Sequence, residues 1–139
     1  MKKVIIDIKG TQGLGDNTEV IEFSTIGEIN KTSDGFALYY DEGEMMGCKN
    51  KTTLTVSNKK EVVLERKGDN SSKLIIKKGE RNNCFYGTPY GNMVIGIYGE
   101  NVEHRLDENG GTLKMCYTID QNLEPISRNE VEISVRKAE

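Results

Sequence analysis

From Lys2 to Lys137 the chain keeps one grammar: short runs of alternating apolar and polar residues, each broken by Gly, Asn or Asp, with no stretch that holds a helical period. A period of two sends apolar side chains to one face of a strand and polar ones to the other. A chain written this way throughout folds as sheet. The pattern is clearest from Cys84 to Gly99, CFYGTPYGNMVIGIYG. Two runs with strand chemistry flank Thr88-Pro89-Tyr90-Gly91, where Pro89 presets φ at the second turn position and Gly91 suits the fourth, so a β-hairpin is expected there.

The same reading gives about ten strand-length segments. They run Lys3 to Lys9, Glu19 to Asn30, Phe36 to Asp41, Thr52 to Ser57, Glu61 to Lys67, Lys73 to Lys78, Cys84 to Tyr86, Met93 to Tyr98, Val102 to Leu106, Thr112 to Asp120 and Glu130 to Lys137. Turn chemistry separates them at Asp16-Asn17, Asp34-Gly35, Ser57-Asn58, Gly68-Asp69-Asn70, Gly79, Tyr90-Gly91 and Asn109-Gly110-Gly111. Two segments are irregular. Glu19 to Asn30 is long for one strand, and Gly27 can place a bend or bulge in it. Asn101 to Asp107 fits a helix turn on Val102 and Leu106 and a strand on Val102, His104 and Leu106; the Asn-Gly-Gly that follows favours the strand.

One face of each segment is apolar: Val4, Ile6 and Ile8; Ile21, Phe23 and Thr25; Phe36, Leu38 and Tyr40; Thr52, Leu54 and Val56; Met93, Ile95 and Ile97; Leu113, Met115, Tyr117 and Ile119; Val131, Ile133 and Val135. The opposite faces carry Lys, Glu, Asp, Arg and Asn. Strands buried on both faces would instead read as continuous apolar runs. So many one-sided strands, joined by short turns, are satisfied by closure, which removes the exposed edges. The expected fold is all-β: a single closed antiparallel barrel of roughly eight to ten strands, one domain over residues 1–139. A chain of 139 residues buries about two thirds of the surface its unfolded form exposes, so it needs no staples.

Three cysteines, Cys48, Cys84 and Cys116, are an odd number, far apart and without a CxxC pair. That argues against a disulfide framework and against a zinc site. A reducing compartment follows, and with Asp7 only four residues after the N-terminal Lys pair there is no room for a signal-peptide core. No apolar run is long enough to span a bilayer as a helix. The expectation is a cytoplasmic protein without a membrane partner.

The residues at this point suggest a family. VIIDIKGTQ near the N-terminus, Tyr40-Asp41-Glu42, Leu64-Glu65-Arg66-Lys67-Gly68, TPYG at Thr88 to Gly91, Gly110-Gly111-Thr112-Leu113 and Tyr117-Thr118-Ile119-Asp120 together resemble the YwiB-like family of uncharacterised bacterial proteins. The resemblance covers essentially the whole chain. It implies a calycin-like, or lipocalin-like, closed antiparallel barrel and leaves the role open, since such barrels host binding proteins and enzymes alike. The chain departs from the pattern at Ile97-Tyr98-Gly99, with Gly where Thr is expected near position 99.

Glu42 and Arg66 match motif positions of that family. Facing each other across a lumen they make either a charge-assisted anchor for a polar, anionic ligand or an ordinary ion pair. Tyr86 and Tyr90 flank the TPYG turn and either line the barrel mouth or pack its end. An enzyme would need a convergent polar cluster such as Glu42, Arg66 and Tyr90 in a pocket. No catalytic signature supports one: His104 is the sole histidine and has no placed partner, no GxSxG elbow surrounds any serine, and Gly10, Gly13 and Gly15 lack the Lys-Ser/Thr and the helix of a phosphate loop. No cofactor or metal is implied.

Charge is uneven along the chain. Lys49 to Arg81 carries ten Lys or Arg against four Asp or Glu, in a protein whose net charge is −3. Adjacent strands can gather Lys60, Lys67 and Lys77 into a face for a polyanion or a protein partner, or the lysines simply guard solvated strands. The acidic balance and the lack of interleaved aromatics argue against nucleic acid. The reading that emerges is a non-catalytic barrel that binds a small ligand or a partner.

Overall fold

The alternation resolves into ten strands and, among the described residues, no helix. The computed structural model describes residues 2–14, 17–41, 50–58, 60–68, 71–88 and 91–138. In chain order the strands are β1 (Lys2–Leu14), β2 (Asn17–Lys31), β3 (Gly35–Asp41), β4 (Asn50–Ser57), β5 (Glu61–Gly68), β6 (Ser72–Lys77), β7 (Arg81–Thr88), β8 (Gly91–Asp107), β9 (Gly110–Gln121) and β10 (Glu124–Lys137). Every strand pairs antiparallel with its chain neighbours, and β1 pairs with β10, so the sheet closes into an up-and-down barrel.

Closure gives the alternation its meaning, because one face of every strand turns inward. At the end of the barrel where β2 meets β3 and β8 meets β9, called lower here, the inward residues interlock into a dry core. Ile6, Leu38, Val56, Val62, Ile76, Ile97, Val102 and Leu113 are fully buried there. Each such side chain contributes about 1.5–3 kcal/mol relative to exposure. The other end, called upper, is where β1 ends and β2 begins, where β7 ends and β8 begins, and where the turn from β9 to β10 lies.

Three features depart from the sequence reading. Met93–Tyr98 and Val102–Leu106 are one strand, β8, whose register against β9 shifts between Gly99 and Asn101. Glycine is needed at that bulge: a Cβ on Gly99 would lie 2.3 Å from the Lys77 carbonyl oxygen, and Gly99 exchanges backbone hydrogen bonds with Gly79 and Glu80. Gly27, by contrast, makes no bulge in β2, which keeps register with both neighbours. It faces inward, and its missing Cβ leaves room for Ile6 and Tyr40. Finally, β10 begins at Glu124 rather than Glu130, after a turn in which Asn122 and Leu123 both take positive φ, 53° and 71°. Those angles give the twist of a tight two-residue hairpin. Leucine in the second place carries no turn signal, which hides the hairpin in the sequence.

On the outer surface a clamp on Arg81 reaches across three strands. Arg81 on β7 donates from Nε and Nη2 to the two carboxylate oxygens of Asp120 on β9, at 2.9 and 2.6 Å. It crosses β8 at Gly96, where a Cβ would lie 2.2 Å from the guanidinium. Asp120 also accepts the Leu123 N–H at 3.1 Å, tying the clamp to the β9–β10 turn. By contrast β6 and β7 share, among the described residues, two register pairs, Ser72 with Tyr86 and Lys73 with Phe85.

Hydrogen bonds from Arg81 hold the Asp120 carboxyl below the usual carboxylate range, against an opposing push from burial. A carboxyl whose folded value is depressed stabilises the fold above its unfolded value, and that stabilisation is lost as pH falls through the folded one. Asp120→Asn should therefore be less stable than wild type at neutral pH, with the gap closing below about pH 4; urea unfolding at several pH values measures it. Gly96→Ala should displace Arg81 and add little further loss when combined with Asp120→Asn. In the turn, Leu123→Gly should stabilise by roughly 0.5–1 kcal/mol, the difference between relieved left-handed strain and glycine's greater unfolded freedom, read as a shift in the thermal midpoint.

Candidate functional site

Toward the upper end the inward positions stop being uniformly apolar. Alternation along β5 sends Val62, Leu64 and Arg66 to the inside in turn, so a guanidinium follows two aliphatic side chains into the barrel. The register carries this polar position sideways. Tyr40 on β3 stands opposite Thr52 on β4, Thr52 opposite Arg66, Arg66 opposite Ser72 on β6, and Ser72 opposite Tyr86 on β7. Five consecutive strands thus contribute one belt of polar side chains. Across the lumen Tyr117 on β9 stands opposite Asn129 on β10, whose Nδ2 donates to Ser127 Oγ at 3.1 Å.

Between these walls lies a cavity of about 420 Å³, within the range of small-ligand pockets. Its surface is mainly aliphatic and aromatic, with Ile8, Phe23, Leu54, Leu64, Leu74, Ile95, Met115 and Ile133 among the contributors. Arg66 is the one charged side chain among the described lining residues. Tyr117 is buried, and burial pushes its phenol upward, while the positive charge of Arg66 acts the other way. The guanidinium is therefore close enough to Tyr117 to be felt across the lumen. On β1 the inward position after Ile6 and Ile8 is Gly10, where an added Cβ would meet nothing within 4 Å. The cavity exists partly because that position has no side chain.

Of the residues singled out from sequence, Arg66 and Tyr86 both line this cavity. Glu42 and Tyr90 lie outside the described residues. Tyr40 and Tyr117, expected as core, do belong to the buried cluster and also line the cavity. Thr52, expected in the core on the same grounds, is buried and is at the same time a polar member of the belt. Ser72, Ser127, Asn129 and Gly10 carry no site signal of their own, because what joins them is register.

The lysines stand elsewhere. Lys60 is exposed in the β4–β5 turn at φ 60°. Lys67 lies 3.7 Å from Glu65, and Lys77 lies 4.0 Å from Glu61 and 3.3 Å from Glu80. Carboxylates are thus interleaved with these cations. His104 faces inward at the lower end, away from the cavity, with Nδ1 buried and without a hydrogen-bond partner. Cys84 is buried beside the Ile75 backbone.

Cys116 is on the outer surface, its thiol donating to Glu100 Oε2 at 2.9 Å, the same oxygen that accepts from Arg128 Nε. Burial first, and the Glu100 carboxylate second, push this thiol up to about 11. The thiolate is the nucleophile, so this cysteine is chemically quiet near neutrality. Glu100→Gln should raise its alkylation rate with iodoacetamide at pH 8 several-fold, measured by mass spectrometry of the intact chain.

A ten-stranded up-and-down barrel, closed on itself and hollow at one end behind a polar belt, defines the class. The chain belongs to the DUF1934 family, a domain of unknown function, whose model matches residues 6–133. Among solved structures it is similar to the ywiB protein of Bacillus subtilis, with a TM-score of 0.87 and 22% identity over 99% of this chain and 93% of that one. At that identity the likeness shows the fold, and it agrees with the resemblance carried by VIIDIKGTQ and TPYG. No curated protein matches the chain.

Proposed function

We infer that the barrel is a non-catalytic carrier or sensor of a small amphiphilic anion, held with its apolar body in the lumen and its acidic head on Arg66. The observation that supports this reading is the chemistry of the lining: a single guanidinium in a mainly aliphatic and aromatic cavity whose wall also includes Tyr40, Tyr86 and Tyr117. A guanidinium offers five donors in a planar fork suited to a carboxylate or phosphate. A ligand head can therefore add to the contacts Arg66 already makes. In low dielectric such a charge-assisted bond is stronger than in water. The apolar walls supply affinity in proportion to the area they cover. This is the use that calycins and lipocalins make of their lumen, and the free thiols suit work in a reducing bacterial cytoplasm.

Dodecanoate and dodecanol, which share a tail and differ in charge, separate the two contributions by titration calorimetry. Wild type should prefer the carboxylate. Arg66→Met should lower dodecanoate affinity about tenfold to a hundredfold, the worth of a hydrogen bond to a charged group, and leave dodecanol nearly unchanged. Gly10→Leu, which fills open space in the lumen, should weaken both. Equal carboxylate binding by wild type and Arg66→Met, with both folded by circular dichroism, would remove the anion from the proposal.

A further inference from the structure

Below Gly99 the wall of the barrel loses a strand. The upper part of β8 pairs with β7 as far as Tyr98, opposite Arg81, and Gly99 bridges Lys78. From Asn101 to Asp107 β8 pairs with β9 on one side. On its other side no strand among the described residues continues the sheet. Alternate residues of an antiparallel strand turn N–H and C=O to opposite neighbours, so this segment presents a row of backbone donors and acceptors at an open edge.

An exposed edge blunted by lysines repels a second copy of itself. This edge is built differently. It reads Asn101-Val102-Glu103-His104-Arg105-Leu106-Asp107, and its charges alternate about His104. When a second copy of the strand lies antiparallel with His104 opposite His104, Glu103 of each copy faces Arg105 of the other on the outer surface. Val102 then faces Leu106 on the inner one. Sliding the pair by two residues sets Glu103 against Glu103 or Arg105 against Arg105, and like charges directly opposite are destabilising. Sliding by one turns inner faces outward. One register is left.

A second pattern leads to the same place. Glu22, Lys9, Glu132, Lys114 and Glu103 stand opposite one another in turn across β2, β1, β10, β9 and β8, and Lys9 lies 4.0 Å from Glu22. Negative and positive alternate along this row until it stops at Glu103 on the open edge. The next position calls for a cation, and in the register just derived Arg105 of the second copy occupies it. Glu103 and Arg105 are both exposed.

We propose that the chain forms a two-fold dimer by antiparallel pairing of its β8 edges about His104. A two-fold contact uses one patch on both copies and so closes without leaving a further edge. Sedimentation equilibrium should give a dimer for wild type. Glu103→Arg alone places Arg opposite Arg, and Arg105→Glu alone places Glu opposite Glu, so each should weaken association about tenfold or more. Mixing those two variants should restore a dimer with one copy of each, and Glu103→Arg combined with Arg105→Glu in one chain should restore the homodimer; circular dichroism confirms the fold of every variant. A wild type that stays monomeric at high micromolar concentration, a dimer indifferent to either single change, or a failure of both the mixture and the double variant to recover association each overturns the proposal. The lumen's ligand plays no part in these outcomes.

Discussion

The pairing of β1 with β10 is the constraint on which everything else in this molecule rests. It joins the two ends of the sequence through a continuous register, from Val4 opposite Lys137 to Gly13 opposite Arg128. Without it the sheet is an open ribbon whose inward face is a water-exposed apolar surface. With it that face becomes an interior, and the words lumen, belt and cavity acquire a referent. The other neighbours in the sheet are joined by chain connections, whereas β1 and β10 meet only after the intervening strands are placed. Such long-range closure carries the entropy of the whole loop and makes folding slow for a chain of this size.

Closure also divides the labour along the barrel axis. The lower half is packed mainly with buried aliphatic side chains, and it supplies the stabilisation of a normal core. The upper half gives up part of that packing. It holds a charged group, three phenols and several hydroxyls at positions where an idealised barrel would place leucine or valine. Local rules relaxed most where the cavity lies are how a fold accommodates a site. The clamp of Arg81 on Asp120 fits the same division, since it ties three strands together from outside, where the interior beside them is open.

Much of this was legible in the sequence because barrel chemistry is local. Alternation and turn residues locate nearly every strand, and Arg66 is readable as an inward charge once Val62 and Leu64 fix the phase of β5. What could not be read depends on how strands lie beside one another. Thr52 and Ser72 are unremarkable polar residues until register sets them either side of Arg66. The continuity of β8 through Gly99 was hidden because a bulge looks like a break. The β9–β10 turn was hidden because Leu123 adopts a conformation its side chain disfavours. Each miss traces to a long-range or strained feature that no window of a few residues contains.

The thin contact between β6 and β7 has a kinetic meaning. Two register pairs hold that junction, where neighbouring junctions have six or more. Local opening in proteins begins where the fewest backbone bonds must break. Both residues of one of these pairs, Ser72 and Tyr86, belong to the polar belt. A fluctuation that parts them widens the wall directly beside Arg66, while β1 and β10 hold the far side shut. Of the seams around the cavity, this is where the fewest register pairs among the described residues separate the polar belt from solvent.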